Sequence, residues 1–405
     1  MKTAPRSSKS DDRKDRISVA PDATGIHGMT VHWSRKERIN EIYRGIFSTY
    51  DKFHSFNDVL IWPFGPRPDP NLIALAGSSG NKQFQSKFGI WSKAVFLSWQ
   101  YKWCWRYLDD KTDCLLVVWN GIKGHRRVLA DAAIKRGVPV VYFEEAPLPE
   151  RITVDFQGVN YGSSLPRDLA FYRAWAEQES IDLTAWRELG ASLIPRAAAT
   201  REDVLQQDAS EDLGKENFIF CPLQVPGDSQ ITIYGDWISS VEQMIDELAE
   251  ASKALPDGWH LRIKEHPTAK VSFGEKLAGL TSDKFRVDNS TNTFEQVAAS
   301  RAVLNINSSV GLQGFFFDKP AIVLGHAFYG IDGIATKASS QSELAELLSA
   351  PEDLSFDPEK RDLFMSYLAA EYYPLEEDAK AGRYTIADAI ARDQKRDAIM
   401  AQITS

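Results

Sequence analysis

Residues 302–324 read AVLNINSSVGLQGFFFDKPAIVL. Two short apolar runs, 302–306 and 321–324, enclose a segment of small polar residues and glycines that is typical of a helix start. Continuous rather than alternating hydrophobicity indicates strands that are buried on both faces, as in a parallel sheet covered by helices. The stretch therefore predicts a strand–helix–strand unit with a right-handed crossover.

The same pattern occurs elsewhere in both halves of the chain. Further strands are predicted at 59–62, 114–119, 138–143, 218–221 and 261–264, and helices at 125–136, 238–255 and 292–300. A polar segment at 195–216 separates the halves, so the sequence predicts an α/β protein whose two doubly wound domains enclose a central cleft. The predicted parts are a disordered tail at 1–25, an N-terminal Rossmann-like domain at 26–205, a C-terminal Rossmann-like domain at 206–375 and a helical segment at 376–405.

Composition excludes several classes of protein. The 405 residues include 47 basic and 56 acidic side chains, a net charge of −9 that gives no overall footprint for nucleic acid, although a local basic groove can still hold an anion. Three cysteines without C-x-x-C spacing predict reduced thiols. Neither a membrane span nor a signal peptide is recognisable, so we expect a cytoplasmic protein. Dehydrogenase, NTPase and α/β-hydrolase motifs are also missing.

Residues 33–47 predict an amphipathic helix with a basic face. Packing on its own domain is one interpretation, and peripheral contact with the inner membrane is the other.

Ligands of open α/β sheets bind beyond the carboxyl ends of the strands, so motifs at these positions matter most. After the strand at 218–221, Gly227 shapes a tight loop that either projects Asp228 and Ser229 into the cleft or lets Asp228 cap the next helix. After the strand at 261–264, Pro267 ends the strand and brings Lys264 and His266 to the sheet edge.

The run Asn307-Ser308-Ser309-Val310-Gly311 follows the strand at 302–306 and opens a helix. Such a run favours phosphate binding over simple helix capping, because a cap accounts for one serine only.

In the first half, Glu144 and Glu145 directly follow the strand at 138–143 and precede the motif that contains Asn160. Two carboxylates that face each other across a cleft suit glycosyl transfer, whereas adjacent glutamates on their own are usually solvated. The clustered aspartates 109, 110 and 113 precede a strand and predict a surface turn, so we expect no metal site.

Together these segments resemble the bacterial capsule polysaccharide biosynthesis family, the retaining β-Kdo transferases that use CMP-Kdo, where Kdo is 3-deoxy-manno-octulosonic acid. The resemblance covers residues 119–333. It rests on Phe143-Glu144, Asp155-x-x-Gly158-Val159-Asn160, Gln224-x-x-Gly227-Asp228-Ser229, Lys264-x-His266-Pro267, Asn307-Ser308-Ser309-x-Gly311-Leu312, Lys319-Pro320, Leu324-Gly325 and Tyr329.

The resemblance implies a GT-B fold with an acceptor-side domain first and a CMP-sugar-binding domain second. It implies that Asp228 is the nucleophile and that Glu144 is the acid/base, with the choice between Glu144 and Glu145 left open. Lys264 and a catalytic His266 would face the CMP phosphate, and no cofactor or metal is expected. The other positions implied to bind substrate or nucleotide are Gln224, Gly227, Ser229, Pro267, Asn307, Ser308, Ser309, Gly311, Glu145 and Asn160.

The implied activity is β-linked Kdo transfer in capsule or lipopolysaccharide biosynthesis, with CMP-Kdo and a saccharide or lipid-linked acceptor as partners. Two other functions stay open. One is an inverting transfer of sialic or another nonulosonic acid with Asp228 as general base, and the other is a non-catalytic component of polysaccharide export.

Overall fold

The computed structural model describes residues 26–50, 52–78, 86–195 and 201–404, so the predicted tail at 1–25 lies outside the described residues. The first sheet has the strand order β2-β1-β3-β4-β5, in which β1 to β4 are parallel and β5 is antiparallel to β4. Its strands are β1 (Gly28–His32), β2 (Lys52–Phe56), β3 (Cys114–Trp119), β4 (Val140–Glu145) and β5 (Ile152–Asp155). The helices in this part are α1 (Glu37–Ile46), α2 (Pro70–Ser78), α3 (Lys87–Tyr107), α4 (Gly124–Lys135) and α5 (Leu169–Gln178).

The second sheet has six parallel strands: β6 (Asn217–Pro222), β7 (Trp259–Lys264), β8 (Phe285–Val287), β9 (Ala302–Asn305), β10 (Ala321–Val323) and β11 (Thr336–Lys337). Their order, β11-β10-β9-β6-β7-β8, is that of a doubly wound Rossmann sheet, with the switch point between β6 and β9. The helices here are α6 (Ser229–Tyr234), α7 (Val241–Ala251), α8 (Gly274–Leu280), α9 (Thr293–Ala299), α10 (Ser309–Gln313), α11 (Gln341–Ser349) and α12 (Pro358–Tyr367). The chain ends with α13 (Glu376–Lys380) and α14 (Ile386–Thr404).

Burial explains why the apolar runs form strands. Every residue of β3 and β9 is buried, because helices cover both faces of each sheet. The apolar face of α1, which includes Ile42 and Ile46, is fully buried in the core of the first sheet. The predicted α/β class with two Rossmann-type sheets and a central cleft is confirmed, and α1 packs on its own sheet.

The strand prediction at 59–62 is wrong. This segment runs alongside α3, where the Gln100 amide donates to the Val59 carbonyl (3.0 Å) and the Trp62 N–H donates to the Trp99 carbonyl (3.1 Å). Leu60 remains 57% exposed, so the hydrophobic run reflects a surface rather than a sheet. The strand in this region is β2, whose alternating and partly exposed residues lack an apolar run.

Residues on the two sides of the predicted domain boundary at 205 pack together. Aromatic side chains of α5, including Phe171 and Trp175, share one core with residues of α12 such as Phe364 and Tyr367. The C-terminal segment returns to the first sheet, because residues of α13 and α14 belong to the core of that sheet.

Asp155, at the end of β5, links the C-terminal part of the chain to the first sheet. Its carboxylate is fully buried and accepts hydrogen bonds from the N–H groups of Gln157 (2.7 Å) and Gly158 (2.8 Å). It also accepts from the N–H (2.9 Å) and hydroxyl (2.6 Å) of Ser164 and from the Tyr372 hydroxyl (2.7 Å). The Asp-x-x-Gly part of the motif that contains Asn160 is therefore structural.

We expect Asp155→Ala to lower the free energy of unfolding by about 3 kcal/mol or more, because buried donors lose their acceptor. Urea unfolding followed by circular dichroism measures this change. The matched control is Asp182→Ala, since the exposed Asp182 accepts similar bonds from Thr184 (2.8 and 2.7 Å) and should cost about 1 kcal/mol or less. Equal losses in the two variants would contradict the role of Asp155.

Candidate functional site

A cavity of about 430 Å³ lies between the two sheets at the carboxyl ends of their strands. Residues after β3 and β4 line one side, and residues after β6, β7 and β9 line the other. The predicted site residues that line it are Glu144, Glu145, Asn160, Gln224, Asp228, Ser229, Lys264, His266, Pro267, Asn307, Ser308 and Ser309. Motifs from both halves thus converge on one cavity.

Gln224 and Asn307 join the loops that leave the switch point. The Gln224 amide donates to the Asn307 side-chain oxygen (3.1 Å), and the Asn307 N–H donates to the Gln224 side-chain oxygen (3.2 Å). Asn307 Nδ2 also donates to the carbonyls of Gln230 (2.9 Å) and Tyr234 (3.2 Å) in α6. Both side chains are buried, so they position the loops on which other residues meet the cavity.

Asp228 both caps α6 and faces the cleft. The capping interpretation and the cleft-facing interpretation, which the sequence left open, are therefore both correct. Its Oδ1 accepts from the N–H of Gln230 (3.1 Å) and lies 3.6 Å from the Lys123 ammonium nitrogen of the other half. Gly227 precedes it with a φ of +75°, a backbone conformation that favours glycine. The Asp228 side chain keeps 28% of its surface exposed, which leaves it accessible to a ligand.

Sequence reasoning missed Asn120 and Lys123, which line the cavity after β3. Asn120 and Gly121 have φ values of +67° and +70°, and this sharp turn brings Lys123 to the start of α4. The rule that found the other motifs, a polar group directly after a predicted strand, applies to Asn120 as well and would have found this loop.

Glu144 and Glu145 lie in different surroundings. Burial raises the pKa of Glu144, whose carboxylate accepts hydrogen bonds from the Asn120 amide and from the N–H of Glu145 (3.1 Å). Glu145 is exposed and forms a salt bridge with Arg38 (3.0 Å). A desolvated carboxyl with a raised pKa suits acid/base catalysis, which favours Glu144 over Glu145.

His266 lines the cavity on the other side. Its Nδ1 accepts a hydrogen bond from the N–H of Thr268 (3.2 Å). The neutral imidazole therefore carries its proton on Nε2, and this tautomer makes Nε2 the hydrogen-bond donor of the ring.

Lys264 lies at the edge of the second sheet, as predicted, but its ammonium group is bonded to backbone carbonyls and is not free to contact a phosphate. It donates to the carbonyls of Leu205 (2.8 Å), Asn289 (3.1 Å) and Thr291 (2.7 Å) and is 2% exposed. Burial lowers its pKa to about 8. The implied contact between Lys264 and a phosphate is therefore wrong for this structure. Its ammonium group anchors the loops behind the cavity instead.

The serine run divides between capping and the cavity. Ser308 caps α10 by accepting from the N–H of Val310 (3.2 Å), and Ser309 begins the helix and lines the cavity. Gly311 faces the protein interior, because a Cβ there would lie 2.2 Å from the Tyr329 hydroxyl and 2.3 Å from Asn305 Nδ2. Gly311 thus permits close packing, and neither it nor Gly227 is among the residues that line the cavity.

A histidine pair lies at the same edge of the first sheet. His32 ends β1 and His125 lies in the first turn of α4, with ring centroids 5.3 Å apart. Burial lowers the pKa of His32 to about 3 and that of His125 to about 4, with Arg126 adding to both shifts. Both rings are therefore neutral near pH 7.

Among the described residues, no group of three or more His, Cys, Asp or Glu side chains is placed to hold a metal ion. Independence from metal and cofactor stays a prediction.

A family model described as "Capsule polysaccharide biosynthesis protein" matches residues 115–207 and 183–368, more than half of the chain. Protein FixF of Sinorhizobium fredii is 28% identical over 298 residues, which cover 73% of this chain and 69% of FixF. Capsule polysaccharide export protein KpsS of Escherichia coli is 25% identical over 249 residues, which cover 49% of this chain and 64% of KpsS.

Among solved structures, the β-Kdo 2,4 transferase of Thermosulfurimonas dismutans KpsC matches 91% of this chain and 98% of its own at 14% identity and a TM-score of 0.47.

The pKa of Glu144 provides a test of the site geometry. We expect Asn120→Ala to raise this pKa further, because the amide stabilises the ionised carboxylate, and Glu145→Gln to lower it, because a neighbouring negative charge is removed. Carbon-detected NMR titration of the Glu144 carboxyl measures both shifts. Shifts in the same direction would contradict the placement of Glu144 between these groups.

Proposed function

The chain belongs to the capsule polysaccharide biosynthesis family, and from this premise we propose that it transfers Kdo from CMP-Kdo to a saccharide or lipid-linked acceptor with retention of configuration. The motif resemblance supplies the donor in this proposal. The alignments leave part of each relative unmatched, 31% of FixF and 36% of KpsS, so the proposal concerns this chain alone.

One observation carries the proposal: two carboxylates from opposite halves line one cavity. Asp228 lies in the loop after β6, and Glu144 is the penultimate residue of β4. Asp228 has a cation at 3.6 Å, Lys123, whereas Glu144 is desolvated and has a raised pKa. Different environments on two carboxyl groups separate a nucleophile from an acid/base.

In the first step, an Asp228 carboxylate oxygen bonds to the anomeric carbon of Kdo while the bond to the phosphate oxygen breaks, and CMP leaves with that electron pair. The charge on the departing phosphate is met by Lys123, by the Nε2–H of His266 and by Ser309, all of which line the cavity.

In the second step, Glu144 accepts the proton of an acceptor hydroxyl, whose oxygen bonds to the anomeric carbon and displaces Asp228. Two displacements at one carbon restore its original configuration, so a β-configured donor gives a β linkage. The raised pKa of Glu144 suits this role, since a base works best with a pKa near the working pH.

In this proposal the acceptor approaches from the side of the first sheet, where Asn120, Lys123 and Glu144 line the cavity. His32, His125 and Arg126 lie beside the end of β1 and are not among the lining residues.

We expect Asp228→Asn to reduce turnover of CMP-Kdo by about a thousandfold or more, because the amide preserves the helix cap but cannot act as nucleophile. Glu144→Gln should accumulate a Kdo adduct on Asp228, since the second step loses its base. Mass spectrometry of product and of the intact protein, with a panel of acceptors, measures both effects.

Glu177→Gln, on an exposed carboxylate of α5 that is not among the residues lining the cavity, serves as the matched control and should keep most of the activity. Full activity of Asp228→Asn would exclude the nucleophile. An α-linked product by NMR would instead indicate an inverting transfer with Asp228 as base. CMP binding by calorimetry without turnover on any acceptor would favour a non-catalytic component of export.

A further inference from the structure

Helix α3 carries large apolar side chains on the surface of the first half. Phe88 is 75% exposed, Trp91 61%, Phe96 49% and Trp99 38%. Because an α-helix turns about 100° per residue, these four residues lie on one face about 140° wide. We call this face the α3 stripe. Phe88 and Trp91 contact each other, with ring centroids 5.9 Å apart. Several exposed aromatic rings on one face of a folded protein mark an interaction surface.

The charge of α3 differs from that of the whole chain. The chain has a net charge of −9, yet residues 70–107 contain no Asp or Glu. Lys102 and Arg106 continue the face of the stripe toward the end of α3, and Lys87 lies exposed at its start. The Lys102 ammonium donates to the Pro63 carbonyl (2.8 Å), and Arg106 stacks over the Trp62 ring (4.3 Å), so these partners do not neutralise the charges.

The first turns of α3 lie at the end of the sheet that carries the cavity. The ammonium nitrogen of Lys135, at the end of α4, lies 5.9 Å from the Tyr101 ring centroid, so the end of α4 packs beside this part of α3. Both helices connect parallel strands and run in the same direction, with the same rise per residue. Gly124 begins α4 eleven residues before Lys135, so it lies level with about residue 90 of α3. Phe88 and Trp91 therefore lie near the level of Lys123, which lines the cavity.

Other candidate membrane contacts are weaker. The apolar face of α1 is buried, so the helix first considered for this contact cannot offer it. In the described part of the chain, no helix has both the length and the apolar character of a membrane span.

We propose that the α3 stripe docks the protein on the surface of an anionic lipid bilayer. Aromatic side chains enter the boundary between headgroups and acyl chains, while lysine and arginine reach the phosphate groups around them. The missing acidic residues remove repulsion from such a surface. In this orientation α3 lies along the bilayer surface, so the cavity end of the first half opens beside the bilayer rather than toward it. The inference concerns binding alone and does not depend on the transfer reaction.

Co-sedimentation of the full chain with vesicles tests the proposal. We expect binding to vesicles of phosphatidylcholine mixed with phosphatidylglycerol, weaker binding to phosphatidylcholine alone, and a decrease with added salt. We expect the double variant Trp91→Ser/Phe96→Ser to bind these vesicles at least about tenfold more weakly than the unaltered protein, because each exposed ring loses its burial in lipid. Both residues are exposed, so circular dichroism should show an unchanged fold.

Matched control variants distinguish binding through the α3 stripe from nonspecific hydrophobic or electrostatic binding elsewhere on the protein. Ile181→Ser/Val271→Ser removes two exposed apolar groups elsewhere and should keep binding. Lys87→Glu should weaken binding to anionic vesicles, whereas Lys253→Glu, on an exposed lysine of the second half, should not.

Equal binding by the double variant and its control would overturn the proposal, as would failure of the unaltered protein to bind anionic vesicles. A dimer that dissociates in Trp91→Ser/Phe96→Ser, without vesicle binding, would show that a second copy covers the stripe and would also overturn it.

Discussion

The reciprocal hydrogen bonds between Gln224 and Asn307 hold the site together. Crossovers leave the sheet in opposite directions from β6 and β9, so a crevice opens at this point. The paired amides bridge the loops at the crevice, and the second donor of Asn307 reaches the carbonyls of α6. Asp228 caps that helix and Ser308 caps the helix after β9, so one pair fixes both. Buried amides that satisfy each other add specificity to the geometry.

The sequence predicted the strands whose hydrophobicity is continuous, such as β3 and β9. It missed β8 and β11, which are edge strands of three and two residues, and it also missed β2 and β5 at the edges of the first sheet. The interior strand β1 was missed as well, because Gly28, Thr30 and His32 interrupt its apolar residues. The error at 59–62 has a related cause, since an apolar run on the surface looks the same as one in a sheet. Only tertiary packing distinguishes the two.

The sequence predicted which positions meet at the cavity better than it predicted what each side chain does there. Strand-end placement brought most of the motif residues to one cavity, but Lys264 and Lys123 differ in a way that spacing cannot show. Lys264 is buried under three carbonyls, whereas Lys123 crosses the cleft toward Asp228. Whether an ammonium group points toward a ligand or away from it depends on residues remote in sequence, such as Leu205 and Thr291. The same holds for Glu144 and Glu145, which are adjacent but differ in burial.

Lys264 nevertheless influences the cavity from behind. Its pKa of about 8 keeps it protonated at pH 7; carbonyl dipoles surround its ammonium group, and the nearby Asp288 carboxylate is paired with Arg262. A buried cation in a medium of low polarisability produces an electrostatic potential that water screens poorly. An anionic ligand would thus meet a positive potential built into the floor of the cavity as well as contacts at its walls. This potential fades in mildly alkaline solution, where the lysine becomes neutral.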